Sequence, residues 1–241
     1  MIESLSNNLI KHACSLKDKK YRNVNCEFLA EGQRLIDDLI RFNDDKIVHI
    51  FSNKHFKHNK FKLVSDKIIK KLSDTNTPQN IVAIVKKKEI IALEKFISLN
   101  KNILFLDRIS DPNNLGAIVR TAVAANYALI LHNCVDIYSN KVVRGSMGAV
   151  LKTDFLEGDI NVISILKQYN YKILSSCISG KNLFNIKINS PVCLIIGSEA
   201  HGVQKEIISL SDEIISIPMM DTESLNASVA AGILAYQFFR L

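Results

Sequence analysis

The sequence predicts an α/β protein in two parts: a small α/β domain, then a larger one built on a mostly parallel sheet. Three observations lead there. Short apolar runs alternate with stretches of helical period along most of the chain, as in sheets joined by helical crossovers. A charge run, Lys86-Lys-Lys-Glu89, interrupts that alternation and reads as the start of a linker. Beyond it, residues 102–125 begin as a buried strand and end as a capped helix. The expected boundaries are 1–88, a linker over 89–100, and 101–241.

In the first part, residues 6–16 have a helical pattern and lead into the basic cluster Lys17-Asp-Lys-Lys-Tyr-Arg22. Residues 27–30 predict a strand, 32–42 a helix and 46–51 a second strand. A loop over 52–60 follows. The spans 61–64, 65–72 and 81–85 then predict strand, helix and strand. His55 and His58 stand at a spacing that metals use. No third or fourth ligand stands near them in sequence, so this segment reads as a solvated basic loop.

Residues 90–99 predict a connecting helix. In the second part the strands are expected over 103–106, 128–131, 171–175, 192–196 and 213–217. The helices are expected over 112–125, 139–150, 160–169, 203–209 and 225–239. The first of these helices has a clear start. A residue before proline is pushed out of the helical region, so Asp111 suits the cap. Pro112 suits the first helical position, where no backbone N–H is needed. Gly116, Arg120 and Ala124 then share one face, at a strand's carboxyl end, where open α/β sheets bind ligands. Arg120 reads either as a ligand-facing arginine or as a solvated one.

Composition narrows the function classes. No apolar run reaches the ~18 residues of a membrane span. The first residues lack the charged start and apolar middle of a signal peptide. The cysteines, Cys14, Cys26, Cys134, Cys177 and Cys193, are scattered and never spaced Cys-x-x-Cys. That pattern predicts reduced thiols in a cytoplasmic setting, with neither a disulfide frame nor a zinc site. The formal charge of +7 permits a polyanionic partner. Neither a dinucleotide fingerprint nor a P-loop is present.

Two later stretches add to the picture. Residues 194–203 form a strand running into a glycine-flanked turn that carries Glu199 and His201. Gly197 there would let a ligand approach the backbone closely. His201 reads as an exposed loop histidine. In the last helix, Ala227, Ala230, Ala231, Gly232 and Ala235 lie among Val229, Ile233, Leu234, Phe238 and Phe239. It is apolar nearly all round, so burial on more than one side is expected, one route being a subunit interface. Ser224 is placed to cap it.

Together these stretches resemble the SpoU (TrmH) branch of the SPOUT superfamily, the RNA ribose 2′-O-methyltransferases. The first family motif resembles Asp111-Pro-Asn-Asn-Leu-Gly-Ala-Ile-Val-Arg-Thr121, the second Ile196-Gly-Ser-Glu199, and the third Ile217-Pro-Met219 with Ser224-Leu-Asn226. The segment from Leu16 to Arg22, with Phe28-Leu-Ala-Glu-Gly32, resembles the ribosomal-protein-like substrate-binding domain of many members. Ala200 stands where many members have glycine, and the segment between Met219 and Ser224 is a residue short.

The resemblance implies a C-terminal domain with a deep trefoil knot that holds S-adenosylmethionine, and a homodimer whose two subunits build the site. It places cofactor contacts at Gly197, Ile217, Met219 and Leu225. It matches Asn114, Arg120, Glu199, Ser224 and Asn226 to the active-site positions. It implies an RNA substrate, ribosomal RNA ahead of transfer RNA, with no metal and no membrane. A non-catalytic RNA-binding module on the same fold is the other reading. The RNA grip is expected at Lys17, Lys19, Lys20 and Arg22. A ribose hydroxyl is a poor nucleophile until its proton leaves. Arg120 would act either as the base or as the charge that stabilises a developing alkoxide.

Overall fold

The computed structural model describes residues 1–221 and 224–239. The chain divides into two compact units, Met1–Glu89 with Asp136–Leu151, and Ile90–Val135 with Lys152 onward. In chain order the first unit begins with α1 (Asn8–Ser15), α2 (Lys19–Asn25), β1 (Glu27–Glu31) and α3 (Gln33–Asn43). It continues through β2 (Ile47–Ser52), β3 (Phe61–Leu63), α4 (Asp66–Leu72) and β4 (Ile81–Lys86). Then come α5 (Leu93–Ser98), β5 (Ile103–Asp107), α6 (Pro112–Ala124) and β6 (Ala128–His132) of the second unit. The chain returns to the first unit for α7 (Asn140–Gly145). The second unit resumes with β7 (Phe155–Glu157), α8 (Asn161–Gln168), β8 (Lys172–Asn182) and β9 (Val192–Gly197). It ends with α9 (Lys205–Ser209), β10 (Glu213–Ser216) and α10 (Ala227–Gln237).

The sheet of the first unit has the order β1-β4-β2-β3. Strand β4 pairs antiparallel with β1 and β2, whereas β2 and β3 are parallel. Ile10, Ala13 and Leu16 of the α1 segment and Ile68 and Leu72 of α4 bury against Phe51, Val82 and Ile84. Two expectations change here. The basic cluster runs into a helix: Asp18 accepts from the Lys20 N–H and caps α2. Its last member, Arg22, is only 4% exposed. The guanidinium donates to Asp136 Oδ2 through Nε (2.8 Å) and Nη2 (2.6 Å), and through Nη1 to the carbonyls of Leu16 and Lys17. Asp136 therefore ties the returning segment to α2, so residues 136–151 pack with the first unit rather than within 101–241. Tyr138 adds a ring contact to Phe28, with centroids 4.9 Å apart.

The helix expected over 139–150 stops at Gly145. Met147 and Gly148 adopt left-handed backbone, φ 51° and 80°. The Met147 N–H donates to Arg144 O and the Gly148 N–H to Val143 O, which closes the helix. At φ 80° Gly148 holds a backbone conformation that residues with a side chain rarely adopt, which favours glycine there.

The second unit holds a six-stranded sheet, β10-β8-β9-β5-β6-β7, and each of its pairings is parallel. Every residue of the central strand β5 is buried, the signature of a parallel strand covered on both faces. On one face Phe96, Phe105, Ile163, Leu166, Ile195 and Ile207 form the core. On the other, α10 packs on α6 and β9. Asn102 braces three elements: its Nδ2 donates to Phe238 O (2.9 Å) and its Oδ1 accepts from the Val192 N–H (3.0 Å). Edge strand β7 has only three residues, too few to carry a period.

Asparagine finishes several helices. Asn100, Asn126 and Asn170 follow α5, α6 and α8 with φ between 50° and 60°. After α6, the Tyr127 N–H donates to Ala122 O and the Asn126 N–H to Val123 O, and α8 ends in the same way. These asparagines take the left-handed position usually given to glycine.

Removing one partner of a buried ion pair leaves an uncompensated charge. Asp136→Ala should therefore lower stability by about 3–5 kcal/mol, and Arg22→Met with Asp136→Leu should recover most of it. Urea unfolding of both variants checks this; a loss under about 1 kcal/mol in the single variant would show the pair to be dispensable.

Candidate active site

A cleft of about 230 Å³ opens at the carboxyl ends of β5 and β9. It is lined by the segment after β5, by Asn114 of α6, by the turn after β9, and by Ala227 at the start of α10. Two local rules aim α6 at it. The Asp111 side chain accepts from the Asn113 N–H at 3.0 Å and caps the helix, with Pro112 at the first position. Asn114 in the first turn is then buried at the cleft wall.

The turn after β9 is tight. The Gly202 N–H donates to Ser198 O at 2.8 Å. An added side chain at Gly197 would lie 2.1 Å from the Gly202 carbonyl carbon and 2.2 Å from Val203 N. The close approach that demands glycine here is thus the turn's own returning backbone. Ser198 lines the cleft, and its Oγ is buried without a hydrogen-bond partner among the described residues.

Glu199 gathers three elements. Its Oε1 accepts from Asn114 Nδ2 (2.7 Å), Asn226 Nδ2 (2.8 Å) and the Ala227 N–H (3.3 Å). Asn226 Nδ2 also donates to Asn114 Oδ1 at 2.8 Å, closing a triangle. Asn226 Oδ1 meanwhile accepts from the Ser228 and Val229 N–H groups and is the cap of α10. The expected cap, Ser224, stands exposed two residues earlier. Both N–H groups of the Asn226 amide are used inside the triangle. Asn114 has one Nδ2 hydrogen bond there, which leaves its second N–H for the cleft.

A second anchor belongs to none of the three motifs. Asp107 ends β5 fully buried. Its carboxylate accepts from the Gln204 N–H (2.9 Å) and Gln204 Nε2 (2.7 Å), and Arg108 Nε donates to it at 3.1 Å. Arg108 has left-handed backbone, φ 59°, and its Nη2 donates to Gly202 O. The β5 end thereby holds the turn after β9 from below. A carboxylate directly following an apolar strand is the signal the sequence offers for it.

The remaining expected residues are dispersed. Arg120 is exposed on α6 and is not among the described residues lining the cleft. Ile217, Met219 and Leu225 lie half-buried between β10 and α10. His201 is exposed and lines the cleft. In the first unit, Lys19 and Lys20 are exposed. Lys17 is engaged with Asp74 (2.6 Å) and Ser73 O (2.9 Å), and Arg22 is buried, so neither presents a free charge to RNA. Burial pushes the Cys134 thiol, near the β5 end, up to about 11, which keeps it a neutral thiol. Among the described residues no group of three His, Cys, Asp or Glu side chains is placed to hold a metal.

Residues 101–236 match the model of the SpoU rRNA methylase family, and residues 7–83 match that of an MRM3-like substrate-binding domain. The chain is 34% identical to an uncharacterized tRNA/rRNA methyltransferase of Borreliella burgdorferi, over 92% of this chain and 95% of that protein. It is 27% identical to the 23S rRNA (guanosine(2553)-2′-O)-methyltransferase RlmP of Bacillus subtilis, over 98% and 97%. An AdoMet-bound rRNA methyltransferase structure from Sinorhizobium meliloti superposes with a TM-score of 0.84 at 25% identity, covering 98% of this chain and 95% of the other.

Gly197→Ala should be destabilising by about 1–3 kcal/mol, because the added carbon must push backbone aside. Ligand binding at the cleft should weaken with it. A crystal structure and melting curve of the variant check this; an unshifted turn and melting temperature would contradict the close approach.

Proposed function

The chain belongs to the SpoU rRNA methylase family, and from that premise we propose that it is an S-adenosylmethionine-dependent 2′-O-methyltransferase acting on ribosomal RNA. The observation that carries this is the Glu199 triangle. It brings together one residue from each of three separated motifs, Asn114, Glu199 and Asn226, at the wall of a cleft. The relative RlmP, named for a 23S rRNA ribose methylation, supports the ribosomal substrate over transfer RNA.

The cleft suits a polar ligand. Ser198 Oγ is an orphan that such a ligand would satisfy, and the spare Asn114 N–H is a second donor. Gly197, Ile217, Met219 and Leu225 are the residues we assign to the cofactor. When bound, S-adenosylmethionine supplies a methyl group on a positively charged sulfur. The chain's own task is to orient a ribose hydroxyl and to manage its proton. Orienting two bound reactants supplies several kcal/mol by itself. We assign Arg120 to the developing alkoxide, because a guanidinium with a pKa above about 12 is a poor base but a good charge stabiliser. Ser224 belongs to the same polar set. Glu199, whose Oε1 is occupied by three donors, positions the two asparagines.

We also propose the knotted topology of the family. In support, the chain runs from edge strand β10 back across the sheet, and α10 packs on α6 and β9. We further propose a homodimer through α10, supported by the exposed apolar residues on its outer side. Val229, Tyr236 and Phe239 are 49%, 57% and 38% exposed there, while Ala231 and Leu234 are buried beneath. The unpaired thiols fit a reducing, cytoplasmic setting.

The function is tested by single-turnover transfer of labelled methyl to ribosomal RNA, beside calorimetry with S-adenosylmethionine. The intact protein should bind the cofactor and methylate a ribose. Arg120→Ala should slow transfer by about 100-fold with cofactor affinity little changed, and Arg120→Lys should recover only part. A protein that neither binds the cofactor nor transfers methyl is the non-catalytic module instead. For the dimer, Tyr236→Glu places a charge on the outer side of α10 and should give a folded monomer by light scattering; a monomeric wild type at micromolar concentration would reject the interface.

A further inference from the structure

The loop between β2 and β3 concentrates unusual chemistry that the proposed reaction does not use. Residues 54–60 carry Lys54, Lys57 and Lys60 among His55, Phe56 and His58. The loop is braced rather than loose. His58 Nδ1 accepts from the Lys60 N–H (3.2 Å), so Nε2 holds the proton and donates to Asp44 Oδ1 (2.8 Å). Lys60 Nζ donates to Asp44 O at 2.6 Å. The rings of His55 and Phe56 stand 6.4 and 6.5 Å from that of Phe61. Lys54 and Lys57 are exposed and in no ion pair among the described residues.

Beside these rings lies a cleft of about 360 Å³, lined by Lys54, His55 and Phe56 and, across it, by Gln79 and Asn80. Both amides are held by their oxygens. Gln79 Oε1 accepts from the Gln33 N–H (3.1 Å), and Asn80 Oδ1 accepts from Asn53 Nδ2 (3.2 Å). Their amide nitrogens donate to no described residue, so two N–H₂ groups are left at the cleft.

We propose that this cleft, and not the Lys17–Arg22 cluster, is where the first unit grips its substrate, by taking one unpaired RNA nucleotide. The proposal rests on the RNA substrate inferred above. Aromatic rings offer a stacking face, amide donors meet a base edge, and the two exposed lysines meet phosphates. A paired base has its faces stacked and its pairing edge engaged, and the deep groove of A-form RNA excludes side chains. An unpaired nucleotide is therefore the form this lining selects.

The test uses the full-length protein and fluorescence anisotropy. The probes are a short mixed-sequence single-stranded RNA and the same strand annealed to its complement. The single strand should bind more tightly than the duplex. Phe56→Ala should weaken single-strand binding by about 10-fold, within the range for one base–aromatic stack, and change duplex binding little. The double variant Lys54→Ala/Lys57→Ala, at two exposed positions, should flatten the log–log salt dependence by about 0.7 for each phosphate that a lysine no longer neutralises. Wild-type affinity and salt slope in both variants would overturn the proposal, as would a wild type that prefers duplex. Methyl transfer by the wild type is read separately. Transfer with unaffected variants keeps the enzyme and removes the cleft. Phe56-dependent binding without transfer keeps the cleft and removes the enzyme.

Discussion

One carboxylate oxygen organises the candidate active site. Glu199 Oε1 takes donors from the first turn of α6 and from the first turn of α10, on a turn that itself leaves β9. Hydrogen bonds to an ionised acceptor are roughly twice as strong as neutral ones. Their loss would leave two amides and a backbone N–H facing a part-buried wall unpaired, each a cost of about 1–3 kcal/mol. The three elements are thus registered to one another by a single side chain. Asn226 shows how tightly function and structure are coupled here, since its Oδ1 caps α10 while its Nδ2 completes the triangle.

The triangle needs a rigid base, and Asp107 supplies it. A fully buried carboxylate is tolerable only when its lone pairs are filled. Gln204 and Arg108 fill them, and in doing so fix the turn that carries Glu199. Gly197 then admits the returning backbone of that turn. Backbone constraint below and charge-assisted bonds above leave Asn114 with one N–H directed to neither.

The first unit shows the opposite use of charge. Arg22 is spent on structure, with its donors divided between Asp136 and two carbonyls. Lys17 is also engaged. Charges left to solvent include Lys19, Lys20 and the loop carrying Lys54 and Lys57. A run of basic residues states how much charge a segment has, but not where each charge finds its partner.

The sequence by itself determined whatever depends on neighbours along the chain. Asp111 and Pro112 defined the start of α6, and the apolar run over 103–106 defined a buried parallel strand. The alternation of elements defined the α/β class, and Asn114, Glu199 and Asn226 stood out through their motifs. Tertiary structure decided whatever depends on partners far along the chain. Asp136 lies 114 residues from Arg22, and Gln204 lies 97 from Asp107. No periodicity reports such pairs. Ser224 and Asn226 are equally good caps by residue type, and only the geometry of Glu199 selects Asn226. The helix expected over 139–150 ends at Gly145, where Met147 and Gly148 turn into left-handed backbone. Local rules act through a few bonds of backbone, whereas a site is made by side chains that meet only once the sheet has formed.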